Sequence, residues 1–246
     1  MPGLTWIEPG APPVFPPAEH ALDSPNGLLA AGGDLSRERL LAAYARGIFP
    51  WYSVGEPILW WTPDPRCVLF PSEIHVPRRT ARRMRQSRDE LSFDRAFDEV
   101  IQACAAPRAG QGGTWLLPEM RAAYCDLHAA GHAHSIELYQ GNRLVGGLYG
   151  VCLGRMFFGE SMFSRVPDAS KIVLIQLARQ LQRWEFSLID CQVSSPHVLR
   201  MGARELPRHG FLQHLHSALQ QPAPSVGPWT LDRDLAQAGG YEPDPV

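Results

Sequence analysis

Three polar side chains sit inside runs that are otherwise apolar. Glu160 interrupts MFFGESMF (156–163), and Asp190 and Gln192 close FSLIDCQ (186–192). A carboxylate taken out of water costs several kcal/mol unless something pairs with it. Each acid must therefore answer to a partner. Side chains alternate along a strand, which puts Asp190 and Gln192 on one face. If the two runs are neighbouring strands, all three groups converge on one apolar cleft. Together they could steer a proton and a developing charge. Carboxylates hold a cation or take its proton, while a carboxamide accepts from an amine or donates to an oxyanion. The plainer alternative is structural, with Asp190 capping the following helix and Glu160 meeting a nearby arginine.

A second group is basic. HVPRRTARRMRQSR (75–88) carries Arg78, Arg79, Arg82, Arg83, Arg85 and Arg88, with no acid until Asp89 and Glu90. On a helix, 78/82/85 and 79/83 make adjacent stripes, a basic face about 12 Å long. A solvated helix face would look similar, but the lack of interleaved acid favours phosphate binding. A third group is aromatic: Trp51, Tyr52, Trp60, Trp61 and Trp115. Any one of them fits a core, yet loops rich in Pro and Gly line sites more often than they fill cores.

Other motifs are excluded. LVGGLYGVCLG lacks G-x-G-x-x-G and falls in a hairpin. RAGQGG (108–113) resembles an acyl-CoA pyrophosphate loop, but Gln111 stands where a glycine is required. GESMF lacks the last glycine of a nucleophile elbow. His197, His209, His214 and His216 have no metal-ligand spacing.

The elements that must position these groups are legible in outline. Residues 1–33, rich in Pro, Gly and Ala, suit an irregular wrap. Asp34 or Ser36 caps a helix through SRERLLAAYAR that Gly47 stops. TPDP (62–65) blocks regular structure and marks a boundary between a small N-terminal domain, 1–62, and a larger one, 63–246. The second opens with the strand CVLFP, then helices near 77–86 and 94–105. Pro118 starts a helix that Gly131 ends. AHSIELYQ, RLVGGLYGVCL and RMFFGESMF read as three strands turning at Gly141-Asn142 and Gly154-Arg155. Asp168 or Ser170 caps a long helix through Trp184. FSLIDCQ is then a buried strand, a helix-loop-helix runs to about 220, and the tail from Gln221 reads as loose. This is an α+β plan: a mostly antiparallel central sheet flanked by helices, resembling that of acyltransferases that use acyl-CoA (GNAT-like).

Composition bounds the rest. The 246 residues hold 45% apolar and 20% charged residues, ordinary for a globular protein. A net charge of −2 means that any nucleic acid must be held by a local patch. The five cysteines show no C-x-x-C spacing, which argues against a disulfide framework or zinc ribbon. The N-terminus has no secretion signal and no run is long enough to span a membrane, so a cytoplasmic protein is expected.

With these residues in view, the chain resembles the leucyl/phenylalanyl-tRNA–protein transferases. The matching stretches are GLLAAGGDLS, AYARGIFPWYS, PILWWTPDPR, GTWLLPEMRAAYCDLHAAGHAHSIE, GGLYGVCLGRMFFGESMFS, DASK and LIDCQ, in order over roughly residues 22–215. The pair GESMFS and DCQ is the most specific. The resemblance implies transfer of Leu or Phe, with Met a poorer donor, from aminoacyl-tRNA to the α-amine of proteins that begin with Arg or Lys. The product is an N-degron for proteolysis. It implies a monomer with no cofactor and no metal. It also implies that Asp190, Gln192 and Glu160 are catalytic and that Arg78, Arg79, Arg82, Arg83 and Arg85 grip tRNA. The donor side chain would sit among Leu148, Met156, Phe158, Met162, Ile172, Ile175 and Ile189. Trp51 and Trp115 would stand at the mouth, and Tyr44 and Tyr124 complete the substrate-binding set. Two other classes compete. An acyl-CoA N-acetyltransferase would need a working pyrophosphate loop, and an RNA-binding module would leave the three polar groups unexplained.

Overall fold

Two sheets organise the chain in the computed structural model, which describes residues 3–106, 116–224 and 227–240. The first is built from β1 (Thr5–Ile7), β2 (Leu28–Gly32), β3 (Phe49–Pro50) and β4 (Leu59–Trp61), in the order β1-β2-β4-β3. The expected irregular wrap over 1–33 is therefore corrected. LLAAG is buried along its whole length and pairs with β1 on one side and β4 on the other, as a short apolar run does when both faces are covered. Between β2 and β3 lies helix α1 (Arg37–Tyr44), capped by the Ser36 hydroxyl, which accepts from the Arg39 N–H.

The second sheet has seven strands in the order β11-β5-β10-β9-β8-β7-β6. They are β5 (Arg66–Leu69), β6 (Glu90–Phe93), β7 (Ala133–Gln140), β8 (Arg143–Leu153), β9 (Met156–Ser164), β10 (Leu188–Gln192) and β11 (Arg204–Leu206). Every pairing is antiparallel except β9 with β10. A parallel pair needs a crossover. Helix α5 (Ala169–Arg183) supplies it. The remaining helices are α2 (Arg78–Gln86), α3 (Phe97–Ala105), α4 (Pro118–Ala129), α6 (Pro196–Arg200) and α7 (Arg208–Leu219).

Alternation along the central strands sorts the core into two layers. Tyr149, Val151, Met156 and Phe158 join Phe97, Val100 and Tyr124 of α3 and α4, together with Tyr44 and Trp60 of the first sheet's layer. Val145, Leu148, Cys152, Phe157 and Ile189 join α5 and the Ala81–Met84 face of α2 on the other side. Gly150 matters here. A Cβ on it would fall 2.1 Å from the Phe158 carbonyl oxygen, so only glycine lets β8 and β9 close at that point.

Four further expectations are corrected. The short polar stretches ELSF and REL are edge strands, so the helix pair expected at 77–105 encloses β6, and the helix-loop-helix before 220 encloses β11. Asp168 stands at the N-cap of α5, but its side chain makes no capping hydrogen bond. It lies at φ 61° and bonds Lys171 Nζ at 2.7 Å, while the Ser164 hydroxyl accepts from the Ser170 N–H at 3.2 Å. Ser170 lies within the helix. The tail is not loose where it is described. Trp229 is buried, stacks on the His134 ring at 3.8 Å and donates its backbone N–H to Asp94 Oδ2 at 2.7 Å. Leu231, Leu235 and Ala238 are buried with it, an apolar spacing too sparse to read in a Pro/Gly-rich stretch.

Candidate active site

Strands β9 and β10 pair over three residues only, Leu188 with Met156, Ile189 with Phe157 and Asp190 with Phe158. Beyond that point lies a cavity of about 760 Å³ bounded by both strands, α3, α5 and α6. A smaller one, about 170 Å³, lies against Phe49, Pro50 and Trp51. Glu160, Cys191, Gln192 and Val193 line both.

Two bulges aim the polar groups at this shared floor. In β9, Gly159 opposes Gly150 and Ser161 opposes Tyr149, which leaves Glu160 as the extra residue. In β10, Asp190 opposes Val68 and Gln192 opposes Cys67, so Cys191 is extra. A bulge breaks the period of two and re-aims side chains. Gln192 sits at φ 56°, and its N–H donates to Asp190 Oδ1 at 2.9 Å, an Asx turn that fixes the strand end. Its side-chain Nε2 donates to Glu160 Oε1 at 3.3 Å.

Glu160 rests on two tyrosines. The Tyr124 hydroxyl donates to Glu160 Oε2 at 2.8 Å, and the Tyr44 hydroxyl lies 2.7 Å from that of Tyr124. Burial pushes the Glu160 carboxyl up to about 7, against the pull of the tyrosine hydrogen bonds and with help from the Asp190 charge. Burial, and then the Glu160 charge, hold both phenols well above their ordinary range, so they remain donors. Such a carboxyl changes charge near neutrality, which is what proton handling at that pH requires.

Asp190 is placed differently. It is wholly buried and lines neither cavity. Arg66 donates from Nε to Oδ1 at 2.8 Å and from Nη2 to Oδ2 at 2.6 Å. The guanidinium also donates to the Gly47 carbonyl at 3.0 Å and lies between the Phe49 and Phe211 rings. Sequence reasoning put Asp190 and Gln192 on one face, and its plainer alternative had Glu160 meeting an arginine and Asp190 capping the next helix. The bulge at Cys191 separates the first two, and the arginine meets Asp190 instead. Arg66 was missed, although an arginine opening the apolar run RCVLF was its signal.

Of the expected donor pocket, Leu148, Met162 and Ile189 line the larger cavity, joined by Leu174 and Val198. Met156 and Phe158 do not. Their parity turns them into the opposite layer, where Phe158 packs on Tyr44 with ring centroids 5.0 Å apart. Ile172 and Ile175 lie in the core under α5, because it is the face through Ser170 and Leu174 that meets the cavity. Tyr44 and Tyr124 stand behind Glu160 and line neither of the two cavities. Trp51 is 45% exposed at the smaller cavity, and its carbonyl accepts from Trp61 Nε1 at 2.6 Å. Trp115 and the RAGQGG stretch fall outside the described residues.

The arginines lie on the outer face of α2. Arg78, Arg79, Arg82 and Arg85 are exposed, opposite the buried Thr80, Ala81 and Met84, and neither these four nor Arg83 lines either cavity. Arg83 is half-buried, with Nη2 3.8 Å from Asp89. Among the described residues no group of three or more His, Cys, Asp or Glu could hold a metal ion, and no helix is long and apolar enough to cross a membrane.

Residues 68–216 match the family model described as leucyl/phenylalanyl-tRNA protein transferase, and residues 33–64 match the model of that transferase's N-terminal domain. A leucyl/phenylalanyl-tRNA–protein transferase of Thiobacillus denitrificans is 60% identical over 218 residues, 89% of this chain and 95% of its own. One from Nitratidesulfovibrio vulgaris is 57% identical over 223 residues, 90% of this chain and 94% of its own. Among solved structures, a GCN5-related N-acetyltransferase from Kribbella flavida is 10% identical, covering 68% of this chain and 59% of that one. Its TM-score is 0.33, a likeness too slight to reason from.

Proposed function

The chain belongs to the leucyl/phenylalanyl-tRNA–protein transferase family and is an aminoacyltransferase, and from that premise we propose how its site works. It moves Leu or Phe, and Met less well, from aminoacyl-tRNA to the α-amine of proteins that begin with Arg or Lys, creating an N-degron. The observation that carries this reading is the floor of Glu160, Cys191, Gln192 and Val193 shared by two cavities. An aminoacyl-adenosine end has two arms with the ester between them. The apolar side chain suits the larger cavity, beside Leu148, Met162, Leu174 and Ile189. The terminal base suits the smaller one, where the exposed Trp51 ring offers a stacking face. The ester carbonyl then lies over Glu160 and Gln192.

The chemistry is aminolysis. An α-amine has a pKa of about 8, so the site need only position it and accept a proton. Glu160, at about 7, is matched to take that proton from the ammonium. Its charge also favours a cationic first residue. Gln192, a carboxamide, is no base; its NH₂ donates to the oxyanion as the amine attacks. Arg66 and Asp190 hold Gln192 through its backbone N–H. The arginine face of α2 holds tRNA phosphates without reading sequence. The reaction runs in the cytoplasm, where charged tRNA is found, and the protein acts as a monomer.

Incubation with radiolabelled Leu-tRNA and an Arg-starting peptide tests the reading. Label should pass to the peptide, and far less to one that begins with Glu. Failure to label the Arg peptide would overturn it.

A further inference from the structure

Two thiols meet under the shared floor. Cys67 lies in β5 and is 1% exposed, while Cys191 is the extra residue of the β10 bulge and lines both cavities. The bulge sets Cys191 and Gln192 together against Cys67 on the antiparallel neighbour. Both side chains belong to the same apolar layer, Cys67 within it and Cys191 packed against it. The register opposes Gln192 to Cys67, at the Cα separation of about 4.5–5.5 Å of an antiparallel pair, and Cys191 is its neighbour in the bulge; a disulfide accepts about 4.4–6.8 Å. The other cysteines sit elsewhere: Cys104 on α3, Cys125 on α4 and Cys152 on β8. Neither thiol has a part in the transfer step.

We propose that Cys67 and Cys191 form a modification site, which a hydroperoxide closes to a disulfide that disables the transferase. The peroxide enters through the cavity to Cys191. The Cys191 sulfur attacks the distal peroxide oxygen; an S–O bond forms and the O–O bond breaks. The alkoxide or hydroxide that leaves takes up the thiol proton. Cys67 then attacks the Cys191 sulfur, forming the S–S bond as the S–O bond breaks. Hydroxide departs and takes the Cys67 proton as water. The two thiols together lose two electrons, which the peroxide gains.

The arrangement favours the second step over the first. Cys191, with help from Ser194 and against burial, draws the Cys67 thiol down, so it is the better resolving nucleophile. The neighbouring Cys67 and burial raise the Cys191 thiol, which makes its encounter with peroxide slow. Closing the bond draws Cys191 toward β5. Cys191 sits between Asp190, which Arg66 anchors, and Gln192, which reaches Glu160. The tension therefore falls on Gln192.

The test uses the full chain. Reduced protein is treated with hydrogen peroxide, remaining thiols are blocked with N-ethylmaleimide, and tryptic peptides are weighed by mass spectrometry. Transfer to the Arg peptide is assayed before and after dithiothreitol. Residues 67–78 should appear joined to residues 184–200. Transfer should fall at least about tenfold as linkage nears completion, and return on reduction. Cys67→Ser should start with the parent's activity and keep it through peroxide; Cys67→Val guards against a poorly folded hydroxyl variant. The effect on transfer rests on the function proposed above, but the linkage is read by mass and stands apart from it. Absence of the linked peptide once peroxide has consumed Cys191 overturns the proposal. So does full linkage with unchanged transfer, or peroxide inactivation of both Cys67 variants as fast as the parent.

Discussion

Arg66 grips Asp190 with two parallel hydrogen bonds, 2.8 and 2.6 Å, both side chains lying out of water. The pair is a mount. Asp190 Oδ1 also takes the Gln192 N–H, so the buried ion pair sets the strand end on which the reactive carboxamide is carried.

Removing one member should therefore cost stability, and removing both should not. Arg66→Met leaves a buried charge unpaired and should lose about 3–5 kcal/mol in urea unfolding. Arg66→Met with Asp190→Leu should recover most of that loss, because an apolar pair needs no solvation. The double variant should still transfer poorly, since Gln192 has lost its backbone anchor. A double variant as active as the parent would show that the mount is not needed.

Gln192 tests positioning against base strength. Gln192→Ala should lower kcat by about 10²–10³ with tRNA affinity nearly unchanged, as when an oxyanion donor is deleted. Gln192→Glu should not rescue, because it loses the NH₂ and adds a charge beside Glu160. Parent-like turnover at pH 7 in that variant would assign Gln192 a base role.

Glu160 sets an expected pH profile. With its carboxyl at about 7, kcat/KM for an Arg-starting peptide should rise through that pH as the carboxylate forms. Glu160→Gln should abolish this limb and raise KM for the peptide. Tyr124→Phe removes a hydrogen bond that holds the carboxyl down, so the limb should move to higher pH. The same shift bears on stability. The folded value lies above the ordinary 4.5, so the contribution is whole below that pH and is lost as pH rises through about 7. Melting of Glu160→Gln should thus gain on the parent between pH 5 and pH 8, by about the same direction of shift.

Trp51 offers its ring to the smaller cavity. Trp51→Ala should weaken binding of an aminoacyl-adenosine analogue by about 1–3 kcal/mol, and Trp51→Phe by less, in a calorimetric titration. Equal affinity in all three would move the base elsewhere.

The outer face of α2 predicts a salt effect. Replacing the exposed Arg78, Arg79 and Arg82 with Ala should lower the log–log salt slope of aminoacyl-tRNA binding by about 2–3. Transfer to peptide at saturating tRNA should stay near the parent's. An unchanged slope removes α2 from the interface.

Local order was readable in the chain itself. The turns at Gly141-Asn142 and Gly154-Arg155 stand where β7, β8 and β9 meet, because turn chemistry and a period of two are local properties. Helices α3 and α5 follow from apolar spacing for the same reason. ELSF alternates over four residues only and REL not at all, too short a pattern to stand alone; they are strands because a neighbour offers its edge. The tail's burial likewise depends on Asp94, His134 and Gln180, which lie far from it in sequence.

The sequence by itself determined which groups are out of place in apolar runs, Glu160, Asp190 and Gln192, and that α2 carries a basic face. A polar residue among Met, Phe and Ile is anomalous wherever the chain runs. Only the tertiary structure decided what each anomaly does. Two bulges shift the strand parity, and bulges arise from the register between strands, where Gly150 lets β8 approach β9 and Cys67 opposes Gln192 with Cys191 left extra. That offset turns Glu160 and Gln192 to the cavity floor and leaves Asp190 behind it, locked to an arginine 124 residues away. Glu160's rise toward neutrality is also not local, because desolvation is the sum of every element packed around it: α1, α4, β9 and β10.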